Sequence, residues 1–393
     1  MTAKRFLIFL LIFIAQKEAS SQIINEIATR VAGYEIPILI HLPSDEGTDK
    51  SPVYFFVHGG GWNGGDENQV PKASLPPDSH FLVDELGVIY VGLAYRCKGN
   101  NATFEDAIQD LEASVQWFFD NAYKFNADIN RIAFGGASAG STLSAILAQK
   151  YKNCKAYIGA EGMYNLADHS VELSPFPSNE ARRIYGLDSK QKSKKASAYY
   201  NLSKNPPNTL LIHGDSDMLC HYSQSINFAD KIKSKGGKAK VLLHKNINHT
   251  TLNPNIPDVF KKSVAEIAIM FNDGFSLNKN IDSVLMNLEN QLRDRYPSRK
   301  VTLDKILGTW EKQDNKITFN NNAKGIFENS ITDEFVEFTY SLTNDQIKVL
   351  LNNHTEFKIF TLQKNNNFIT EHITNGKKIY RVFTYQLQKK SKY

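Results

Sequence analysis

The sequence predicts an α/β fold, a mostly parallel sheet with helices on both faces, followed by a small C-terminal all-β antiparallel domain. Between Tyr34 and about Phe271, short apolar runs alternate with segments whose apolar residues recur every three or four positions. The short runs are continuous, as strands covered on both faces are. After about Leu303 the helical period is lost, and short β-like runs are separated by Asn, Gly and Asp. A chain of 393 residues has room for two domains at ~100–200 residues each.

Val53–Val57 ends in glycines and reads as a strand; Val88–Leu93 is a second. From Thr103 to Ala122 the residues Ala107, Ile108, Leu111, Val115 and Phe118 mark an amphipathic helix. Thr103 can cap it, and Asp106 in its first turn suits the helix dipole. Arg131–Phe134 is a third strand and leads through glycines into the helical run Ala139–Gln149. Thr209–Ile212 and Ala239–Leu243 follow as strands, then a helix containing Val264, Ile267, Ala268 and Phe271. Alternation of this kind implies a parallel sheet, whose sites lie beyond the carboxyl ends of its strands. Ile281, Val284, Leu285, Leu288 and Leu292 form one more amphipathic helix, closed by Pro297. The runs Lys316–Phe319, Glu334–Ser341, Gln346–Leu351, Phe357–Gln363, Phe368–Thr374 and Lys378–Tyr385 then predict a small barrel or sandwich.

The first 21 residues stand apart. Lys4 and Arg5 precede an apolar run, Phe6–Ala15, and Ala19-Ser20-Ser21 offers small residues for cleavage. That is the make-up of an export signal, and the run is shorter than the ~20 residues of a membrane span. The expected organisation is a signal peptide over 1–21, a catalytic domain over 22–275, a helical linker over 276–300 and a β domain over 301–393. A secreted or periplasmic location follows, with no membrane span after cleavage. Losing residues 1–21 removes three Lys/Arg and one Glu, so the formal charge falls from +5 to +3. A nearly balanced chain lacks the basic face of a nucleic-acid binder. Lys190, Lys192, Lys194 and Lys195 read as a solvated loop. Cys97, Cys154 and Cys220 match no zinc spacing and are too few for a disulfide scaffold, with at most one pair among them. Neither a metal nor a cofactor is expected.

The chemistry gathers after the strands. Gly136-Ala137-Ser138-Ala139-Gly140 is a G-x-S-x-G placed directly between a strand and a helix. Small flanking residues permit the sharp turn that lifts a serine Oγ into a site, and the helix N-terminus favours developing negative charge. His58-Gly59-Gly60-Gly61-Trp62 follows the Val53–Val57 strand. Its glycines leave backbone amides open to a substrate carbonyl. Gly60 and Gly61, with Ala139, are the expected oxyanion donors, and losing one such donor typically costs about 3–4 kcal/mol. His58 reads as a structural hydrogen-bonder. Trp62 either lines the substrate pocket or packs beneath the loop.

A serine needs a base, and the base an orienting carboxylate. After Leu210–Ile212 comes His213-Gly214-Asp215-Ser216-Asp217, in which Asp217 lies further out and Asp215 competes as a turn-former bonding its own backbone. His249 occupies the loop after Val241–Leu243, whereas His244 at the strand end is better suited to fixed packing. His213 and His221 lie too close to the acid loop to serve. A histidine of ordinary affinity would lose its function as base below about pH 6.5.

These blocks resemble the esterase branch of the α/β-hydrolases, the hormone-sensitive-lipase-like carboxylesterases and the feruloyl and acetyl-xylan esterases related to them. The likeness runs through His58–Trp62 with Gly64-Gly65-Asp66, Ala94-Tyr95-Arg96, Asp128–Ile132 leading into Gly136–Gly140, and His213–Asp217, covering roughly residues 30–272. It implies Ser138, Asp217 and His249 as a catalytic triad acting on a small-molecule or polysaccharide-linked ester, with acetyl or feruloyl as the acyl group. Two positions depart from the family: Ser141, where a further glycine is common, and Ile247-Asn248, where a glycine often precedes the histidine. An aryl-formamidase-like amidase shares His-Gly-Gly-x-Trp, and a non-catalytic binding protein is a third reading. The segment Leu307-Gly308-Thr309-Trp310 and the strands after it resemble a lipocalin-like β domain, with either a binding or a packing role.

Overall fold

The computed structural model describes residues 21–44, 49–168, 182–254, 256–295, 306–312, 315–329, 334–342, 346–351, 357–362, 368–373 and 382–387. Residues 1–20 of the expected signal and the helix-closing Pro297 lie outside them. The chain enters as a hairpin of β1 (Gln22–Val31) and β2 (Tyr34–Leu42). Then come β3 (Ser51–Val57), β4 (Ile89–Leu93), β5 (Ala127–Ala137), β6 (Cys154–Ala160), β7 (Asn208–Gly214) and β8 (Ala239–His244). They form one eight-stranded sheet in the order β1-β2-β4-β3-β5-β6-β7-β8. β1 and β2 run antiparallel, β2 is antiparallel to β4, and every pairing from β4 through β8 is parallel.

The helices are α1 (Ser79–Leu86), α2 (Phe104–Asn121), α3 (Ala139–Lys150), α4 (Lys190–Lys195), α5 (Ser223–Ser234), α6 (Pro257–Phe275) and α7 (Ile281–Arg295). Two separate cores cover the two faces of the sheet, and the strand side chains divide between them with period two. Val53, Phe55 and Val57 of β3 join the core of α2, α3 and α5. Tyr54 and Phe56 join that of α1, α6 and α7. The same alternation sends Val91 one way and Tyr90 the other. Continuous apolar runs are the physical consequence of this two-sided burial.

Thr103 caps α2 as expected: its hydroxyl accepts the Asp106 amide, and the Asp106 carboxylate accepts the Thr103 amide at 2.8 Å. The lysine cluster is not a loop but the short helix α4, capped by Ser189, and its lysines are exposed. α7 buries Val284, Leu288 and Leu292 in the second core, while Asn287 and Gln291 donate to Glu85 of α1.

The C-terminal strands are β9 (Gly308–Lys312), β10 (Asn315–Phe319), β11 (Lys324–Asn329), β12 (Glu334–Leu342), β13 (Gln346–Leu351), β14 (Phe357–Leu362), β15 (Phe368–Ile373) and β16 (Val382–Leu387). Each is antiparallel to the next, and β16 returns to β9, so they close a barrel. Trp310, Ile317, Phe319, Phe338, Tyr340, Ile347 and Val349 form its buried cluster, and the Trp310 indole donates to the Ile306 carbonyl at 2.8 Å. β9 and β11 were not among the expected strands. Each is short, with a glycine and charged residues diluting its apolar signal.

Candidate active site

Register brings the chemistry together. Val57 lies beside Gly136, Ala137 beside Ala160, Ala160 beside Ile212, and Gly214 beside His244. The segments leaving β3, β5, β6, β7 and β8 therefore emerge at one edge of the sheet, where a parallel sheet places its site.

Ser138 joins β5 to α3 at φ 55°, ψ −122°, a conformation an L-residue keeps only when its surroundings impose it. Its amide donates to the Ala160 carbonyl at 2.8 Å. Behind it, a Cβ on Gly140 would fall 2.0 Å from the Val57 carbonyl oxygen, so α3 can start this close to β3 only with glycine there. In front, a Cβ on Gly59 would lie 2.8 Å from the Ala137 oxygen and 3.2 Å from the Ser138 Cβ, which sets the glycine loop against the serine. Gly60 and Gly61 have φ of 118° and 64° and are exposed, with open space where side chains would be. Ala139 is the first residue of α3.

A buried support stands behind the glycine loop. The Tyr95 hydroxyl donates to the His58 carbonyl at 3.0 Å, and the two rings stack with centroids 4.6 Å apart. Arg96 makes a two-pronged pair with Asp110 of α2, both contacts at 2.8 Å. His58 donates from Nδ1 to the Gly59 carbonyl at 2.7 Å, and burial lowers its proton affinity. Trp62 is 3% exposed and packs edge-on against Tyr185.

Across the site, Asp217 is buried and its Oδ2 lies 2.7 Å from His249 Nδ1. Its Oδ1 accepts the amides of Leu219 and Cys220 at 2.8 and 2.9 Å. His213 stands behind it: Nε2 lies 2.7 Å from the Cys220 carbonyl and 3.2 Å from Asp217 Oδ2, and Nδ1 lies 2.7 Å from the Ser225 hydroxyl. A carbonyl can only accept, so His213 Nε2 is the donor to Cys220. Burial opposes charge on Asp217, but the bonds from His213 and His249 prevail and hold it well below the usual carboxylate range. Asp215 does not bond its own backbone. It accepts the Ser216 hydroxyl and the Asn246 amide, both at 2.7 Å, joining the acid and base loops. His244 is buried at 2.9 Å from the Ser263 hydroxyl, away from the acid.

Residues 38–232 match a family model described as BD-FAE. The isoprenylcysteine alpha-carbonyl methylesterase ICME of Arabidopsis thaliana is 27% identical over 268 residues, 60% of this chain and 60% of that protein. A thermophilic esterase of Thermogutta terrifontis, solved with propionate bound, shares the fold at a TM-score of 0.52 and 17% identity, covering 66% of this chain and 96% of that one. The chain has the α/β-hydrolase fold and is similar to esterases built on it. Kynurenine formamidase of Drosophila melanogaster is also similar, 26% identical over 218 residues, 52% of this chain and 68% of that enzyme. The chain spans no more than 60% of the length of the methylesterases it matches.

Both departures from the family pattern have structural content. Ser141, inside α3, is fully buried, and its hydroxyl lies 2.9 Å from those of both Tyr157 and Tyr164. The Asn248 side chain accepts the His249 amide at 2.8 Å and the Met218 amide at 3.4 Å, linking the base loop to the acid loop.

Sequence reasoning missed Glu161, the residue after β6. It is buried at φ 56°, one carboxylate oxygen accepts the Thr251 amide, and the other lies 3.9 Å from His249 Nδ1. Burial works against charge on His249, but Glu161 and the hydrogen-bonded Asp217 outweigh it and raise its pKa to about 9. The sequence expectation of a threshold near 6.5 therefore moves upward. Among the described residues, no group of His, Cys, Asp and Glu has a metal-holding arrangement.

Proposed function

We propose that this α/β-hydrolase is a secreted serine esterase that removes acetyl or feruloyl groups from polysaccharide, or cleaves a similar short-acyl ester. The observation that carries the reading is the 2.7 Å bond between Asp217 and His249, on loops beside the strand end that holds Ser138 in its strained turn. In this reading the Ser138 oxygen attacks the ester carbonyl as His249 takes its proton. The amides of Gly60, Gly61 and Ala139 hold the oxyanion. Collapse expels the alcohol, which receives the proton from His249; water then repeats the sequence on the acyl-enzyme, releases the acid and restores Ser138. Asp217 orients the imidazole and stabilises it when charged. No cofactor enters any step.

Export is supported by the composition of residues 1–21. A lipocalin-like assignment for the C-terminal domain is supported by its closed up-and-down barrel, an architecture lipocalins use. The buried Trp310–Phe338 cluster favours a packing role for that half of its interior.

The test is a panel of p-nitrophenyl acetate, acetylated and feruloylated oligosaccharides and N-formylkynurenine, run on the full chain and on Ser138→Ala. Turnover of the acyl esters that disappears in the variant, together with loss of fluorophosphonate labelling, is the expected result. Undiminished turnover in Ser138→Ala would end the proposal. The second reading, an aryl-formamidase-like amidase, is favoured by the similarity to kynurenine formamidase. Faster turnover of N-formylkynurenine than of every ester would select it.

A further inference from the structure

We infer that Glu161 is a positioning residue that sets a second carboxylate beside the His249 imidazole and fastens the base loop to the strand end beside the nucleophile. The inference rests on the reading of His249 as the base, and it concerns a carboxylate that the triad does not use.

Three hydrogen bonds, two of backbone and one of its side chain, place this residue where the parts of the site cross. Ser138 donates its amide to the carbonyl of Ala160, one residue before Glu161, at 2.8 Å. The Glu161 amide donates to the Ile212 carbonyl at 2.9 Å, on the strand leading to Asp217. Its Oε1 accepts the Thr251 amide, two residues beyond His249. A single side chain thus reaches from the nucleophile's neighbour to the base loop. The backbone at φ 56° is a costly place for glutamate, since a non-glycine residue there bears strain.

Anchoring does not account for the charge. A neutral glutamine carbonyl would accept the Thr251 amide equally well, and a buried carboxylate is costly unless something compensates it. What the glutamate adds is a second anionic oxygen, Oε2, 3.9 Å from His249 Nδ1. His249 therefore has two carboxylates beside one ring nitrogen, Asp217 in hydrogen-bond contact at 2.7 Å and Glu161 in the next shell of charge.

The groups facing this cluster come from three elements. Asp217 and the Cys220 thiol lie on the loop after β7, His213 lies within β7, and Glu161 follows β6. Burial pushes the Glu161 carboxyl upward, with Asp217 adding to the rise and His249 opposing it. An ionised Glu161 and a protonated His249 stabilise each other. Their mutual stabilisation moves the acid limb of any His249-dependent rate toward higher pH, because the base must shed its proton first.

The test follows His249 directly. The full chain, labelled with ¹³C at the histidine ring and assigned with His249→Asn, is titrated by NMR as wild type and as Glu161→Gln. The pH profile of kcat/KM is measured in parallel. An opposite charge at this range shifts a pKa by about 1–3 units. Glu161→Gln should accordingly lower the His249 midpoint by about one unit or more, and the acid limb should move with it. Glutamine keeps the acceptor for Thr251, so the thermal midpoint should change little. An unchanged His249 titration in Glu161→Gln would overturn the inference and leave Glu161 a mere anchor. A wild-type midpoint at the ordinary histidine value would overturn it without any variant. Absence of ester turnover in the wild type would sink the functional reading, while the NMR titration would still judge Glu161.

Discussion

The two sides of the candidate site are built by different means. On the nucleophile side, backbone fixes the serine: the Ser138 amide donates to the Ala160 carbonyl, and the residue is wedged between Gly59 and Gly140, neither of which has room for a Cβ. On the acid–base side, side chains do the holding. Asp217 is gripped by His213 and His249, Asn248 ties His249 to Met218, and Asp215 ties both loops together. A wall made of backbone resists changes of charge but yields to added volume. A net of side-chain bonds tolerates small changes of volume but is broken by one altered proton.

The largest expected effect breaks the net. Asp217→Asn is nearly isosteric, yet its amide would favour the wrong imidazole tautomer and could not stabilise the imidazolium. A loss of about 10⁴ in kcat is the expected scale for such a change, reduced if Glu161, 3.9 Å from the same nitrogen, supplies part of the missing charge. Steady-state kinetics on the preferred ester, with the thermal midpoint as control for folding, measures it. A kcat within tenfold of wild type would show that Asp217 does not orient the base. Glu161→Gln on the same side should have a milder effect, seen as a displaced pH limb.

The next effect attacks the wall. In Gly140→Ala the new Cβ would fall 2.0 Å from the Val57 oxygen and 2.4 Å from the His58 oxygen, both backbone atoms. Neither can turn aside as a side chain could, so α3 or β3 must shift. Overpacking of this kind costs about 1–3 kcal/mol, and the shift displaces the serine as well. Chemical denaturation should therefore show a lowered midpoint, and kcat/KM should fall with it. A stable variant of full activity would mean the elbow is looser than its backbone contacts imply.

The contrast also explains what could be read from the sequence. Backbone devices leave short local signatures, so the glycines around Ser138 and after β3 make that side of the candidate site legible directly. Strands β3 and β4 were legible because both faces are buried and the runs are apolar throughout. β6, Cys-Lys-Ala-Tyr-Ile-Gly-Ala, was not: an exposed lysine and three small residues leave little apolar signal, and its place is fixed by packing between β5 and β7. With the strand unseen, Glu161 at its end had no reason to be inspected. Asp217 and His249 could be selected as candidates from their positions after β7 and β8. Bonds such as Asp215 to the Asn246 amide join residues 31 apart and leave no local pattern.

The smallest effect expected on activity tests whether the division into two sides holds. Ser141 lies one turn into α3 behind the nucleophile, and it is a side-chain hub on the side otherwise held by backbone. Its hydroxyl meets those of Tyr157 and Tyr164, and its carbonyl accepts the Tyr157 hydroxyl at 2.7 Å. Ser141→Ala keeps the carbonyl contact but removes one shared partner from two buried tyrosines, a cost of about 1–3 kcal/mol. Ser141→Gly, the residue common in the family, should be worse by about 1 kcal/mol more, because glycine weakens a helix interior. If the backbone alone holds the elbow, both variants should lose stability in denaturant titrations while kcat/KM stays within about threefold, a change of well under 1 kcal/mol in the barrier. If activity falls in step with stability, the tyrosine cluster is supporting Ser138, and the nucleophile side depends on side chains just as the acid–base side does.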